Sequence, residues 1–221
     1  MPGIRRSGLL ALGGIALAAV LAVVGHLEVN DNLDPWSLTV SDFAVSDRGG
    51  VIDAAMVVLA AATVLLLSAL GRAGGYRPAR ALLAAWAAGL VVSAVVPTNQ
   101  PGSPMGTGAY LHRYASVVAF LVLPVAGWLL AAPLGGRATG WLRGLALTSL
   151  LLAGAMVWSA YPGDRLLIGL AERLLILAEV GLLAVVAATV VRRHGSDGRR
   201  DLDLNAASTL SVVGGGSTAA R

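Results

Sequence analysis

Several side chains able to do chemistry stand inside or at the edges of apolar stretches. Glu172 and Glu179, in "GLAERLLILAEV", are seven residues apart, which on a helix is nearly two turns, so they share a face about 10 Å apart along the axis. Asp53 lies in a second apolar run and His112 opens a third. Ser41 and Asp42 sit in "TVSDFAVSD", and Thr98 and Asn99 in "VPTNQPGSPMGTGAYLHRY". An ionised group facing lipid is costly, so such residues turn inward and take partners. Arg173 is the counter-ion within reach. Carboxylates near a histidine could serve general acid–base chemistry; for an enzyme the candidate catalytic residues are Asp42, Asp53, His112 and Glu172. The full polar cluster adds Ser41, Thr98, Asn99, Arg173 and Glu179, with His26 as a further member.

Each group also has a structural alternative. Ser46 and Asp47 are helix N-cap types ahead of the second apolar run, His112 could bond only to its own loop, and Glu172 with Arg173 could be an ion pair at a helix end. The motifs H-E-x-x-H and G-x-S-x-G are absent, which removes the usual metalloprotease and serine-hydrolase signatures. The three histidines are scattered and there is no cysteine, so no metal site and no cofactor is expected.

The elements that must position these groups follow from composition. Of 221 residues, 57% are hydrophobic and 13% charged, against about a quarter charged in soluble domains. So small a globule could not hide that much apolar surface from water. Six segments are long and apolar enough to cross a bilayer: Gly8–Leu27, Val51–Leu70, Ala81–Val96, His112–Ala132, Leu145–Ala160 and Leu166–Val191. Abundant Ala, Gly and Ser favour close helix packing, and Pro124 should kink the fourth span. The fold class is therefore all-α, a polytopic bundle of six transmembrane helices over residues 1–193. Residues 194–221, polar and Gly/Ser-rich, are expected to be a disordered cytoplasmic tail. No clean A-x-A site follows the first run, which is longer than a typical signal core and reads as a span, not a cleaved signal. Trp36, Trp141 and Trp158 fall near the interfaces, and Trp86 and Trp128 read as packing residues.

The positive charge is all arginine. Arg5 and Arg6, then Arg72, Arg77 and Arg80, then Arg137 and Arg143, and finally Arg192, Arg193, Arg199 and Arg200 flank alternate ends of the spans. The first opposite loop is acidic, with Glu28, Asp31, Asp34, Asp42 and Asp47 against Arg48. Six crossings with both termini cytoplasmic put every basic cluster inside. His112, Asp53 and Glu172 then gather at the extracytoplasmic mouth. Arginine without lysine, with heavy Ala, Gly, Leu and Val, suits a GC-rich bacterium, so the expected location is a bacterial plasma membrane.

At three segments the chain resembles the bacterial six-helix membrane proteins catalogued as domain of unknown function number 998. They are "TVSDFAVSD", "VVPTNQPGSPMGTGAYLHRYASVVAF" and "GLAERLLILAE", and the likeness runs over about residues 5 to 193. Its Ser-Asp pair is matched by Ser41 and Asp42, its Pro-Thr by Pro97 and Thr98, and its following histidine by His112. Asn99 stands where an acid is usual. The resemblance implies a location and an architecture, and no activity.

Three functions compete. One is a membrane-embedded binding protein whose extracytoplasmic polar pocket takes a lipid headgroup, a small molecule or a partner helix. Another is a proton- or cation-coupled transporter using Asp53 and Glu179, although no inverted repeat with broken helices is visible. The third is an intramembrane acid–base enzyme, a lipid hydrolase or isoprenoid cyclase, which the missing motifs disfavour. Membrane lipids are the expected partners, with other membrane helices or a second copy of the chain beside them. The arginines flank apolar runs instead of forming one face, so nucleic acid is not a partner.

Overall fold

The computed structural model describes the backbone of residues 2–28, 33–46, 50–100 and 102–214. It is helical, in the order α1 (Pro2–Glu28), α2 (Val40–Ser46), α3 (Val51–Ala73), α4 (Arg77–Val95), α5 (Thr107–Leu134), α6 (Arg137–Ala160) and α7 (Ile168–Gly214). All but α2 contain a stretch able to cross a membrane, and helix is the form in which a single segment satisfies its own backbone polar groups in lipid. The protein is a multi-pass membrane protein.

The helices extend beyond the apolar runs that announce them. α6 begins at Arg137 instead of Leu145, because the apolar count locates the hydrocarbon layer while the helix continues into the headgroup region. α5 passes uninterrupted through Pro124. The α7 backbone continues to Gly214, past the residue-194 boundary where the sequence reading begins a tail; residues 215–221 lie outside the described residues.

In sequence order α1, α3, α4, α5, α6 and α7 each contact the next, and α7 returns to α1, which closes a ring. α5 also crosses to α7. There Gly127 faces Leu182, whose side chain fills the space a Cβ would need, so the leucine seats directly on the α5 backbone. Half of the apolar window of α7 is buried, against 17% of that of α6: α7 is the central staff and α6 the most lipid-exposed member. Trp86 is 2% exposed and packed, whereas Trp128 is 45% exposed and lies under the Arg143 guanidinium at 5.4 Å.

The ring has two unlike ends. Gly8 packs on Val191 and Arg72 donates to Ser7 Oγ at 2.5 Å, which gathers the arginine-bearing termini and turns. At the other end α2 contacts α3 and α7 and, through Phe43, meets His26 near the end of α1.

Candidate functional site

The site is built on a short turn followed by α2. Asp34 accepts from Ser37 Oγ at 2.5 Å, and from the amides of Trp36 at 3.1 Å and Ser37 at 3.2 Å. These bonds, the Ser37 hydroxyl first, hold its carboxyl below the ordinary 3.8. Thr39 then starts α2 with a reciprocal cap. Its Oγ accepts the Asp42 amide at 3.2 Å, while Asp42 Oδ2 accepts the Thr39 amide at 2.9 Å and hydroxyl at 2.8 Å. Ser46 Oγ turns back to the Asp42 carbonyl at 3.1 Å and closes the helix.

The first turns of α7 receive this loop. The Gly169 amide donates to the Trp36 carbonyl at 2.9 Å. Arg173 Nη1 donates to the carbonyls of Pro35 at 2.8 Å, Leu38 at 2.9 Å and Gly169 at 2.9 Å. Glu172, 5% exposed, accepts the Val40 amide. Glu172 and Arg173 are thus neighbours that grip opposite polarities of one loop, a carboxylate on an amide and a guanidinium on carbonyls. Arg173, the expected counter-ion, lies in the field of Glu172, Asp34 and Asp42, while the ion pair among the described residues joins Asp42 to Arg165 Nη2 at 3.0 Å.

Arg165 comes from a loop under backbone constraint. Asp164, Arg165 and Leu167 have φ of 48°, 61° and 56°, left-handed values that cost non-glycine residues about 1–2 kcal/mol each. The loop is held by the Arg165 amide on the Ser159 carbonyl at 2.8 Å and by Ser159 Oγ on the Leu166 carbonyl at 2.5 Å.

Phe43, 1% exposed, is the apolar anchor of α2. The Arg173 guanidinium lies 4.8 Å from its ring centroid, and the His26 ring stacks on it at 5.1 Å and 24°. His26 Nδ1 is 2.7 Å from the Ala22 carbonyl, which accepts only, so Nδ1 carries the proton. Among the described residues, His26 Nε2 and Arg173 Nη2 are buried without a hydrogen-bond partner.

His112, 5% exposed, joins three elements. Its Nδ1 donates to the Val96 carbonyl at 2.8 Å, which assigns the tautomer, and Nε2 then accepts the Ser41 hydroxyl at 2.9 Å. Ser116 Oγ donates to the His112 carbonyl at 3.0 Å and meets Ser93 Oγ at 3.0 Å.

Ser41, Asp42, His112, Glu172 and Arg173 therefore share one network, which also includes Thr39, Phe43, His26 and Arg165. Of the other four expected members, Glu179, Asn99 and Thr98 lie elsewhere. Glu179 is deeper in the bundle and accepts Trp86 Nε1 at 3.3 Å. Asn99 organises its own loop, donating to the carbonyls of Gln100 at 3.0 Å and Ser103 at 2.8 Å, and Thr98 is half-buried beside it. Asp53 is half-buried in the first turn of α3. That helix starts at Gly50 without a side-chain cap among the described residues, so Ser46 does not cap it; Asp47 lies outside the described residues. The "T-x-x-D" spacing of Thr39 and Asp42 was the available signal for α2. Nothing local announces Arg165. No three His, Asp or Glu side chains among the described residues converge on a point a metal ion could occupy.

A family model described as "Protein of unknown function (DUF998)" matches residues 11–189. No curated protein and no solved structure matches the chain.

Proposed function

Because the chain belongs to the DUF998 family, whose description assigns no activity, we propose a function from the geometry. The protein is a binding protein of a bacterial plasma membrane, with both termini cytoplasmic. Its extracytoplasmic end takes the anionic group of a small molecule or lipid headgroup beneath α2. Arginine placement supports the orientation. Arg5, Arg6, Arg72, Arg77, Arg80, Arg137, Arg143, Arg192 and Arg193 fall at one end. Of the three described arginines at the other, Arg165 pairs with Asp42 and Arg173 grips carbonyls, while Arg113 is exposed.

One observation carries the binding reading. Among the described residues Arg173 Nη2 and His26 Nε2 are buried and unpartnered, on either neighbour of the Phe43 ring. A buried polar group left unpaired costs about 1–3 kcal/mol, more when charged. A ligand offering an acceptor to the guanidinium and a hydroxyl donor to His26 Nε2 recovers that energy if Phe43 withdraws. α2 is suited to withdraw, being seven residues long with few buried apolar contacts to hold it.

Hydrogen–deuterium exchange with glycerol 1-phosphate as the probe tests this on the full-length protein in detergent. Saturable slowing of exchange over residues 34–46 is expected in the wild type and absent in His26→Ala. Unchanged exchange in the wild type, with this probe and with butyrate, overturns it.

A second reading has its own observation. Ser41 donates to His112 Nε2 while His112 Nδ1 is fixed on Val96, the order of nucleophile, base and orienting group found in hydrolases. Ester cleavage would pass the Ser41 proton to Nε2 as Oγ bonds the acyl carbon. The proton then goes to the departing alcohol, and water, activated by the same nitrogen, releases the acid. A fluorophosphonate probe should label Ser41 in the wild type and not in Ser41→Ala. No labelling of the wild type eliminates this reading.

A further inference from the structure

At the end opposite α2 the described residues line a cavity of about 420 Å³ between the end of α5, the start of α6 and α7. Its cationic wall is Arg137, Arg192 and Arg193, with Thr189 and the turn Gly135–Gly136 beside them. We infer that this cavity binds a phosphate group presented at the membrane surface, that of an anionic lipid or of the free ion.

The sequence builds the cavity in three steps. Gly135 and Gly136 have φ of 54° and 60°, a left-handed pair that glycine adopts without strain, and they reverse the chain between α5 and α6 within two residues. The reversal sets Arg137 at the first position of α6, where the first amides of a helix have no intrahelical acceptor and favour an anion. α7 supplies the other two arginines. Arg193 donates to the Pro133 carbonyl at 3.3 Å and to the Leu134 carbonyl, satisfying the last turn of α5 and drawing its own charge over the turn. Arg192 donates to Thr189 Oγ at 3.3 Å, and that hydroxyl donates onward to the Val185 carbonyl at 2.7 Å.

Arg137 and Arg192 bring two like charges to one space, and no carboxylate stands among the described residues that line it. Leu134 and Ala138, both buried, form its apolar floor. The spans end nearby, at Leu134, Arg137 and His194, so the cavity stands at headgroup depth. A phosphate there meets cations while a glycerol backbone and chains continue over the apolar floor and the lipid-facing side of α6. Basic pockets between helices are suited to acidic headgroups in this way. A carboxylate would use fewer of the donors, since phosphate offers acceptor oxygens in several directions.

Native mass spectrometry of the full-length protein, released from nanodiscs of mixed phosphatidylglycerol and phosphatidylcholine, tests the site. The wild type is expected to retain phosphatidylglycerol in preference. Arg137→Gln and Arg192→Gln should each reduce that preference about fivefold and the pair about twenty-five-fold. Arg193 is left intact because it ties α7 to α5, and the single variants serve if the double variant does not fold. Arg113→Gln, at the opposite end, should leave the preference unchanged. Excess inorganic phosphate separates the two sources: displacement of the lipid places the free ion in the same site, and retention assigns it to lipid-borne phosphate. Equal retention of both lipids by the wild type, or an undiminished preference in folded Arg137→Gln and Arg192→Gln proteins, overturns the inference.

Discussion

The amide of Gly169 donates to the carbonyl of Trp36 at 2.9 Å, and no side chain fits between the two strands of backbone that this bond joins. A Cβ at Gly169 would stand 2.2 Å from the Leu38 carbonyl oxygen and 2.5 Å from that of Pro35. Those are the same carbonyls that Arg173 grips. One small residue therefore sets how closely the loop carrying α2 can approach α7.

Gly169→Ala should accordingly push the loop off α7 and loosen the arginine contacts with it. Overpacking of this kind costs about 1–3 kcal/mol. Thermal unfolding in detergent should fall in midpoint, and hydrogen exchange over residues 35–40 should quicken while the far end of the bundle keeps its protection. An unchanged midpoint with unchanged exchange would mean the loop yields freely and does not depend on α7.

The loop before α7 yields a prediction of opposite sign. Leu167 has φ of 56° and is 46% exposed, so it bears left-handed strain without compensating burial. Glycine ordinarily destabilises a helical protein, but here Leu167→Gly should stabilise by about 1 kcal/mol by relieving that strain. Arg165→Gly, at φ of 61°, relieves similar strain but removes the Asp42 ion pair, so its net effect should be smaller. Equilibrium unfolding of both variants against the wild type reads the difference. If Leu167→Gly loses stability by as much as a mid-helix glycine does, the backbone there is not strained.

Much of this architecture was legible in the order of residues, and the boundary of legibility has a physical cause. Apolar length announces a span because lipid imposes it on each segment separately; the runs Val51–Leu70 and Leu166–Val191 accordingly announced the spans Val51–Ala73 and Ile168–His194. α2 was hidden because its seven residues are held by tertiary contacts at Phe43 and Ser41, not by their own periodicity. Arg165 was hidden because it reaches Asp42, 123 residues away in sequence, only through a left-handed turn that no residue type there demands. Arg137, Arg192 and Arg193 each look like interfacial anchors alone, and their convergence depends on how α5, α6 and α7 cross. Asn99 misled for the converse reason: its amide is spent within its own loop.

Deep in the bundle, Glu179 is 3% exposed. Its Oε2 accepts Trp86 Nε1 at 3.3 Å, while its Oε1 is buried without a partner among the described residues. The two single truncations of this pair are therefore unequal. Trp86→Phe removes the donor and leaves a buried acid with neither oxygen bonded, a loss of about 1–3 kcal/mol added to the lost indole packing. Glu179→Leu leaves one indole N–H unpaired but also removes the unpartnered oxygen, so its cost should be smaller. The double variant, apolar on both sides, should recover most of the Trp86→Phe loss, as replacement of both partners of a buried polar pair commonly does. A double-mutant cycle from unfolding in detergent, followed by helical circular dichroism, measures this order. Were Trp86→Phe to cost less than Glu179→Leu, the indole would not be the group that satisfies the acid, and the polar interior around α4 and α7 would have another organisation.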